Sequence, residues 1–311
     1  MKKQSVFCLF LLISTFFFAP LAAQKRPPII GVSHIALLSA SVEASRAFYT
    51  GYLGFEEPFS VKDDQGALIL TWFKINDRQS IELFPEKEAG TDRLYQIAFD
   101  TDDSQAMRDY LASRGVKVPE KLAPGRIGNL NFSVKDPDGH TVEFVQRMPQ
   151  GKTRLDEGKH LSARRLSARM PHVGILVGRL EEARKFYTDI LGFREVWRGS
   201  RDEKVLNWVH LRVPEGEDTI ELMLYDQLPG PRERGTVHHL CLETADIMKT
   251  EQLLRERPLP PGIKPCSAVR TGINRRRQIN CYDPDGTRSE FMEPVTVDGK
   301  PAPSSQAPPP R

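Results

Sequence analysis

The sequence carries almost no excess of either charge. In 311 residues, 44 Lys and Arg stand against 41 Asp and Glu, which gives a formal net charge of +3 with histidine neutral. Because positive and negative charges are nearly equal in number, the composition gives no indication of nucleic acid or an anionic membrane as a partner. The content of 39% hydrophobic and 27% charged residues is typical of a globular protein. The length suggests two domains of about 150 residues each.

The sequence also lacks an apolar run long enough for a transmembrane helix. Two lysines precede residues 6–19, an apolar stretch that is interrupted by Ser14 and Thr15. This is shorter than the roughly 20 residues that a bilayer span needs. A basic start, a short apolar core and small residues up to Ala23 are typical of a signal peptide that is cleaved after Ala23. We therefore predict a mature chain that is secreted or periplasmic and has no membrane partner.

Cysteine is scarce, with four in the whole chain. Cys8 falls in the predicted signal peptide, which leaves Cys241, Cys266 and Cys281 in a compartment that permits disulfides. Cys266 and Cys281 flank a predicted hairpin tip at residues 273–274. A cross-strand disulfide between them is one option, and the geometry of the hairpin would decide it.

An internal repeat organises the rest of the chain. Residues 46–55 (RAFYTGYLGF) are echoed by residues 184–193 (RKFYTDILGF), and the Asp-Pro-Asp-Gly of residues 136–139 recurs at 283–286. Self-similarity of this kind indicates a duplicated structural unit. The predicted organisation is a signal peptide at 1–23, a domain at 28–148, a polar linker at 149–168, a domain at 169–295 and a disordered Pro-rich tail at 296–311.

Each domain is predicted to contain two βαβββ modules, which gives an α+β fold with four modules in the chain. A β-rich segment precedes a helix with apolar residues at helical spacing, and a glycine ends that helix in both copies. Strands bounded by turn residues follow. For the first domain the predicted strands are 32–38, 57–61, 68–75, 80–84, 94–100, one near Val118, 130–134 and 141–146, with a helix at 104–114.

Every module carries a His or Gln on its first strand and a Glu on its last strand. These residues are His34, Gln96, His172 and His239, with Glu82, Glu143, Glu221 and Glu290. Each Glu lies between apolar residues on a strand, so it points to the opposite face from its neighbours. A carboxylate turned inward is costly unless it is paired or bound to a cation. For one position alone a core or surface role is the simpler interpretation, but recurrence in four modules predicts a divalent metal, with Zn, Ni, Mn or Fe(II) suiting these donors.

The repeated Phe-Tyr-x-x-x-Leu-Gly-Phe and Asp-Pro-Asp-Gly-x-x-x-Glu-Phe motifs resemble the vicinal oxygen chelate superfamily. It includes glyoxalase I, extradiol dioxygenases, methylmalonyl-CoA epimerase and bleomycin-resistance proteins. The resemblance covers about residues 28–294 and implies a cupped sheet made of two modules around one metal. Pairing within domains would give the sets His34, Glu82, Gln96, Glu143 and His172, Glu221, His239, Glu290. Pairing of outer with inner modules would give His34, Glu82, His239, Glu290 and Gln96, Glu143, His172, Glu221.

The resemblance implies three functions, each acting on a small molecule, and we favour the first, with the second as the alternative. A glyoxalase-I-like lyase or isomerase would act on a substrate with vicinal oxygens and use Glu221 or Glu290 as the catalytic base. An extradiol-type dioxygenase would hold Fe(II) on His172, His239 and Glu290, with Tyr282 as the nearby candidate for an acid–base group. A non-catalytic small-molecule-binding module is the third, although the retention of all eight donors disfavours it.

Overall fold

The computed structural model describes residues 24–234 and 237–310, and the predicted signal peptide at 1–23 lies outside them. None of the helices in these ranges combines the length and the apolar character that crossing a membrane would require.

Two mixed sheets, one in each repeat, form the framework of the described chain, and each has eight strands. The strands of the first sheet are β1 (Ile29–Ser39), β2 (Ser60–Lys62), β3 (Leu68–Lys74), β4 (Ser80–Pro85), β5 (Leu94–Thr101), β6 (Ala123–Pro124), β7 (Leu130–Lys135) and β8 (Thr141–Gln146). Its helices are α1 (Val42–Arg46), which continues as a π-helical turn over Ala47–Tyr52, and α2 (Ser104–Ser113), while α3 (Lys152–Leu155) lies in the linker.

The second repeat has the same arrangement of strands and one additional short helix. Its strands are β9 (His172–Val177), β10 (Arg194–Ser200), β11 (Leu206–Arg212), β12 (Thr219–Leu224), β13 (His239–Glu243), β14 (Arg270–Thr271), β15 (Arg276–Tyr282) and β16 (Arg288–Thr296). Its helices are α4 (Leu180–Arg184), which continues as a π-helical turn over Lys185–Ile190, then α5 (Pro231–Arg234) and α6 (Ile247–Glu256).

The strand order joins two modules into each sheet. In the first sheet it is β2-β3-β4-β1-β5-β8-β7-β6, and in the second it is β10-β11-β12-β9-β13-β16-β15-β14. The first strands of the two modules, β1 and β5, lie antiparallel at the centre, and each is parallel to the last strand of its own module. The predicted α+β fold of paired βαβββ modules is therefore confirmed.

Capping residues set the helix bounds that the sequence pattern indicated. Ser41, Asp103 and Asp246 each accept a hydrogen bond from the first turn of α1, α2 and α6, respectively. Gly54 and Gly192 follow the two π-helical turns with φ of 87° and 78°, a conformation that other residues rarely adopt.

Apolar side chains of both domains form one shared core. The rings of Phe99 and Phe193 meet edge to face across the domain boundary, with their centroids 5.2 Å apart. Ile81 and Leu83, on either side of Glu82, belong to this core. The opposite face of each sheet is therefore left free to form a concave site.

The two repeated motifs are physical partners across that boundary. The hydroxyl of Tyr49 donates to Asp283 at 2.9 Å, and the hydroxyl of Tyr187 donates to Asp136 at 3.0 Å. Each tyrosine of a Phe-Tyr motif thus contacts the first aspartate of the Asp-Pro-Asp-Gly turn in the other domain. Burial and the neighbouring Asp285 raise the pKa of Asp283 to about 7.

Two local predictions differ from the structure. No strand lies near Val118: the segment there packs on the core without regular structure, and the second strand of that module is β6, further along the chain. The C-terminal segment, for which a Pro-rich composition predicts disorder, lies against β10 and β11. Leu206 N donates to the carbonyl oxygen of Pro308 at 2.7 Å, and Trp197 Nε1 donates to that of Pro303 at 3.0 Å. Edge strands offer unpaired groups to such a segment.

The cysteines take the arrangement that the sequence left open. Cys266 and Cys281 form a disulfide with an S–S distance of 2.04 Å. Within the described chain, Cys241 is the free cysteine, and it is buried.

Candidate metal centres

The four central strands of each sheet bring the predicted donors together within a domain. Across the first sheet the order of donors is Glu82, His34, Gln96, Glu143, and across the second it is Glu221, His172, His239, Glu290. All eight side chains are buried. The geometry therefore corresponds to within-domain pairing, because the hydrogen-bonded neighbours of β1 and β9 are strands of the same repeat.

In the first domain the donors contact one another directly. His34 Nε2 lies 3.1 Å from Glu143 Oε2 and 3.5 Å from Glu82 Oε2. Gln96 Nε2 donates to Glu143 Oε2 at 3.0 Å and lies 3.0 Å from His34 Nε2. These four residues form a compact group at the base of the concave face.

Neutral donors supplement this group. Trp72 Nε1 donates to Glu82, and Asn131 Nδ2 donates to Glu143 Oε1 at 2.6 Å. Burial raises the pKa of Glu82 to about 7, an effect that His34 opposes and Glu143 reinforces. Burial lowers the pKa of His34, but Glu82 and Glu143 outweigh it and leave that pKa raised. The two carboxylates are thus already hydrogen bonded to protein groups.

Above the first group lies a cavity of about 370 Å³. Aromatic side chains form much of its wall, namely Phe59, Trp72, Phe84 and Tyr95. The first-domain site is therefore a pocket with aromatic side chains in its wall and a polar base.

In the second domain the donors include two imidazoles. His239 Nε2 lies 2.8 Å from Glu221 Oε2 and 3.2 Å from His172 Nε2. His172 Nε2 lies 3.5 Å from both Glu221 Oε2 and Glu290 Oε2. One donor atom from each of His172, Glu221 and His239 falls within 4.8 Å of the others.

Three further residues at this site were missed by the sequence analysis. His210 pairs with Glu221 across β11 and β12, with its Nε2 3.6 Å from Glu221 Oε1. Arg288 donates to His239 Nδ1 at 2.7 Å. Cys241 forms a second group with His172 and Glu290, again within 4.8 Å. Alignment of the two repeats could have identified His210, because it takes the place of Trp72 in the first domain.

The imidazoles and Arg288 hold the second-domain carboxylates in their charged form. Burial raises the pKa of Glu290, but His172, Arg288 and His239 outweigh it and bring that pKa to about 2. Burial also raises the pKa of Glu221, but His239 and the other imidazoles outweigh burial and hold that pKa well below the ordinary value. Burial also works against the charged form of His172, whose pKa is nevertheless raised well above the ordinary value by Cys241, Glu221 and Glu290. Burial and Arg288 lower the pKa of His239.

Two observations fit this set of residues to a divalent cation. Two carboxylates and two imidazoles lie side by side, which is a donor set that such ions prefer once the imidazoles have lost their protons. Gly174 pairs with both Glu221 and His239, and a Cβ at that position would lie 2.0 Å from the Cε1 of His239. The backbone thus leaves room for the His239 ring to enter the site.

A second cavity, of about 470 Å³, opens over these residues. Trp197, Trp208 and His210 line it, together with the three arginines Arg201, Arg270 and Arg288. Tyr282, the acid–base candidate named from the sequence, is 42% exposed at the end of β15 and is not part of the lining.

Comparison with known proteins agrees with this geometry. The family model described as Glyoxalase/Bleomycin resistance protein/Dioxygenase superfamily matches residues 31–144 and 169–291. A metapyrocatechase from Geobacillus stearothermophilus is 25% identical over 287 residues, which cover 84% of this chain and 80% of that protein.

Solved structures with the same fold include enzymes of two kinds. An extradiol ring-cleaving dioxygenase from B. fuscum superposes with a TM-score of 0.66 at 18% identity, over 94% of this chain and 78% of that one. A Mn(II)-bound glyoxalase from Novosphingobium aromaticivorans superposes with a TM-score of 0.65 at 18% identity, over 91% of this chain and 88% of that one. At these identities the likeness shows a common fold.

Proposed function

The chain belongs to the glyoxalase/bleomycin resistance protein/dioxygenase superfamily, and on that premise we propose that it is a divalent-metal-dependent ring-cleaving dioxygenase of the extradiol type. The observation that carries the proposal is that His172 Nε2 on β9 lies 3.2 Å from His239 Nε2 on β13 and 3.5 Å from Glu290 Oε2 on β16. Two imidazoles and one carboxylate are the donor set of non-haem Fe(II) oxygenases. The similarity to a metapyrocatechase over most of both chains supports this choice.

Bound Fe(II) would supply open coordination positions for the two vicinal oxygens of a catechol-type substrate, together with the redox chemistry that O₂ requires. The protein residues have separate tasks. Trp197 and Trp208 form an aromatic wall for a flat ring and help to exclude water. His210 faces the same cavity beside Glu221, so its imidazole is placed to accept or return a proton of the substrate hydroxyl.

A lyase or isomerase of the glyoxalase kind is the second candidate, and Glu221 favours it. The Glu221 side chain contacts His172 and His239 and gives the site a fourth donor that the dioxygenase triad does not need. In that reaction Glu221 or Glu290 would move the proton of a carbon next to a carbonyl. The similarity in fold to a Mn(II)-bound glyoxalase is compatible with this alternative.

Oxygen consumption separates the two candidates. The full chain is loaded with Fe(II) without air and mixed with catechol in an oxygen electrode, and the product mass is measured. We expect uptake of O₂ and a product heavier by both oxygen atoms. Glu290→Ala should abolish the uptake, whereas Glu143→Ala, at the matching strand position of the first domain, should retain it.

Two results would contradict the dioxygenase. One is an Fe(II)-loaded protein that consumes no O₂ with any catechol tested. The other is exchange of a carbon-bound proton of an α-hydroxycarbonyl compound for solvent deuterium, which would identify the lyase instead.

We further propose that the enzyme acts outside the cytoplasm. The basic and apolar N-terminus supports export, and the Cys266–Cys281 disulfide suits an oxidising compartment. Sequencing of the mature N-terminus tests this, with Gln24 expected as the first residue; an uncleaved cytoplasmic chain would refute it.

A further inference from the structure

We propose that the thiol of Cys241 is a further ligand of the second-domain metal centre, which thereby selects a cation that accepts sulfur as well as imidazole and carboxylate. The inference rests on the proposed function only for the presence of a divalent cation. It concerns a side chain that neither the dioxygenase triad nor the set of four donors includes.

The register of three adjacent strands places Cys241 between two of the donors. On β13 it is the direct cross-strand partner of His172 on β9 and of Glu290 on β16. Directly opposed side chains on one sheet face have their Cβ atoms about 5 Å apart. One donor atom from each of these three residues lies within 4.8 Å of the others, so a single cation can contact all three.

The environment of this thiol differs from that of an ordinary buried cysteine. Free cysteines are commonly buried as small apolar side chains in a core. Cys241 is fully buried, yet it lies two residues after His239 and so shares the polar face of the sheet. Its nearest ionisable partners are His172, Glu290 and Glu221.

The first domain shows that the fold does not need a thiol at this position. Ala98 there pairs with His34 on β1 and with Glu143 on β8, in the same register as Cys241 with its two partners. Alanine thus satisfies the packing of an equivalent site. The sulfur atom of Cys241 in the second domain is therefore not needed for packing, and it gives the site a further donor atom.

A second, independent observation points to a cation site beside the same carboxylate. Asn280 is the cross-strand partner of Glu290 on its other side, and it is only 4% exposed. Its Oδ1 has no hydrogen-bond partner in the described structure. A buried acceptor without a partner is costly, and a cation held by Glu290, or a water bound to that cation, would satisfy it.

The binding step balances without a change of oxidation state. The thiol loses its proton to solvent as the sulfur binds the cation: Cys–SH and M²⁺ give Cys–S–M⁺ and H⁺. Thiolate ligands favour softer cations such as Zn or Co(II) over Mn or Mg. We therefore expect Cys241 to shift the metal preference of the site in that direction.

Cobalt spectroscopy tests the proposal directly. The full chain carrying Cys8→Ser is titrated with Co(II), so that Cys241 is the remaining free thiol beside the disulfide. We expect a sulfur-to-cobalt charge-transfer band in the near ultraviolet, whose intensity increases until one equivalent of Co(II) has been added per chain. Cys241→Ser and Cys241→Ala should lose the band, and their Co(II) affinity should fall by about 10-fold or more. Ala98→Ser, the matched change in the first domain, should leave the band unchanged.

The possible failures are distinguishable. Visible bands of bound Co(II) without charge transfer would reject Cys241 as a ligand and leave the metal centre and the proposed function in place. Absence of any bound divalent cation would overturn both. Because Cys241→Ala installs the residue that the first domain already accepts, circular dichroism should show a folded variant, so that loss of the band reports loss of the ligand and not loss of the fold.

Discussion

The two concave faces of this protein have the same strands and the same donor positions, but they differ in what surrounds the carboxylates. In the first domain, Trp72 and Asn131 donate hydrogen bonds to Glu82 and Glu143. In the second domain, imidazoles and an arginine surround Glu290. The pKa is about 7 for Glu82 and about 2 for Glu290, although both side chains are buried.

This difference indicates that strand position alone does not fix the charge of these carboxylates. Burial penalises the charge of a carboxylate equally in both domains, so the neighbours decide whether the charge persists. Amide and indole donors can satisfy an inward carboxylate without a cation. In the second domain, two imidazoles lie beside two charged carboxylates, which makes it the stronger candidate for metal binding. We expect the second domain to bind metal more tightly than the first.

Removal of one imidazole should produce the largest difference in metal affinity between the two domains. His239→Ala should weaken metal binding by the second domain by at least about 100-fold, because a direct ligand contributes more than the groups that orient it. Gln96→Ala, its counterpart in the first domain, should leave the tightly bound metal in place. Metal content after dialysis and competition with a chelator measure both. Equal losses in the two variants would mean that the domains share the function equally.

A methyl group at Gly174 should disturb the second site alone. Its Cβ would overlap the His239 ring, at a cost of about 1–3 kcal/mol in the free energy of unfolding, and it would displace the ring from the site. The reverse change in the first domain, Ala36→Gly, should cost about 0.5–1 kcal/mol through backbone entropy and leave metal binding intact. Urea unfolding and Co(II) titration give the two readouts. Unchanged metal affinity in Gly174→Ala would show that the glycine is not required by the His239 ring.

Loss of either tyrosine–aspartate hydrogen bond between the domains should lower the stability of the protein by a similar amount. Tyr49→Phe and Tyr187→Phe each remove one buried hydrogen bond to an aspartate of the other domain, so each should lower the free energy of unfolding by about 1–3 kcal/mol. Neither tyrosine touches a metal donor, so metal stoichiometry should not change. A large effect for one variant and none for the other would show that only one of these contacts holds the domains together.

In the metal-free protein, a rise in pH should reduce the stabilisation that comes from the first site and increase the stabilisation that comes from the second. The raised pKa of Glu82 gives a stabilisation that is complete below its ordinary pKa of 4.5 and is lost as pH rises through about 7. The lowered pKa of Glu290 gives a stabilisation that is present above 4.5 and is lost as pH falls towards about 2. Asp283 contributes in the same window as Glu82, because its pKa is also raised to about 7.

Thermal unfolding of the metal-free protein across pH measures these effects. Glu82→Gln should flatten the profile between pH 4.5 and 7, and Glu290→Gln should flatten it below pH 4.5. Interchanged effects of the two variants would contradict the assigned charge states.

The sequence predicted the modules well because strands and helices have different apolar periods. Strand β8 was placed at its observed bounds, since turn residues precede it. The strand near Val118 was wrong because an apolar residue on the core surface looks the same as a strand residue in so short a segment. The carbonyl oxygens of Pro303 and Pro308 accept hydrogen bonds from Trp197 on β10 and Leu206 on β11, and amino-acid composition does not predict such contacts.

The residues that surround the donors were harder to foresee. His210, Cys241 and Arg288 are not signature residues of either repeated motif, although Arg288 lies within the second copy of the Asp-Pro-Asp-Gly-x-x-x-Glu-Phe motif. The cross-strand register brings them to His172, Glu221 or His239. Tyr282 was chosen for its closeness in sequence to Glu290, but the cavity does not extend to the end of β15. Nearness along the chain is a poor guide when four strands from distant segments form one site.

By itself, the sequence determined that this protein is a duplicated α+β chain with a His or Gln and a Glu in each of four modules, because the two-residue period of a strand decides which side chains turn away from the core. Only the tertiary structure decided that the donors pair within domains. It also decided which carboxylates keep their charge and that a thiol stands among the second set. Those properties depend on the hydrogen-bonded register of neighbouring strands, and on the fields of side chains brought together from distant parts of the chain.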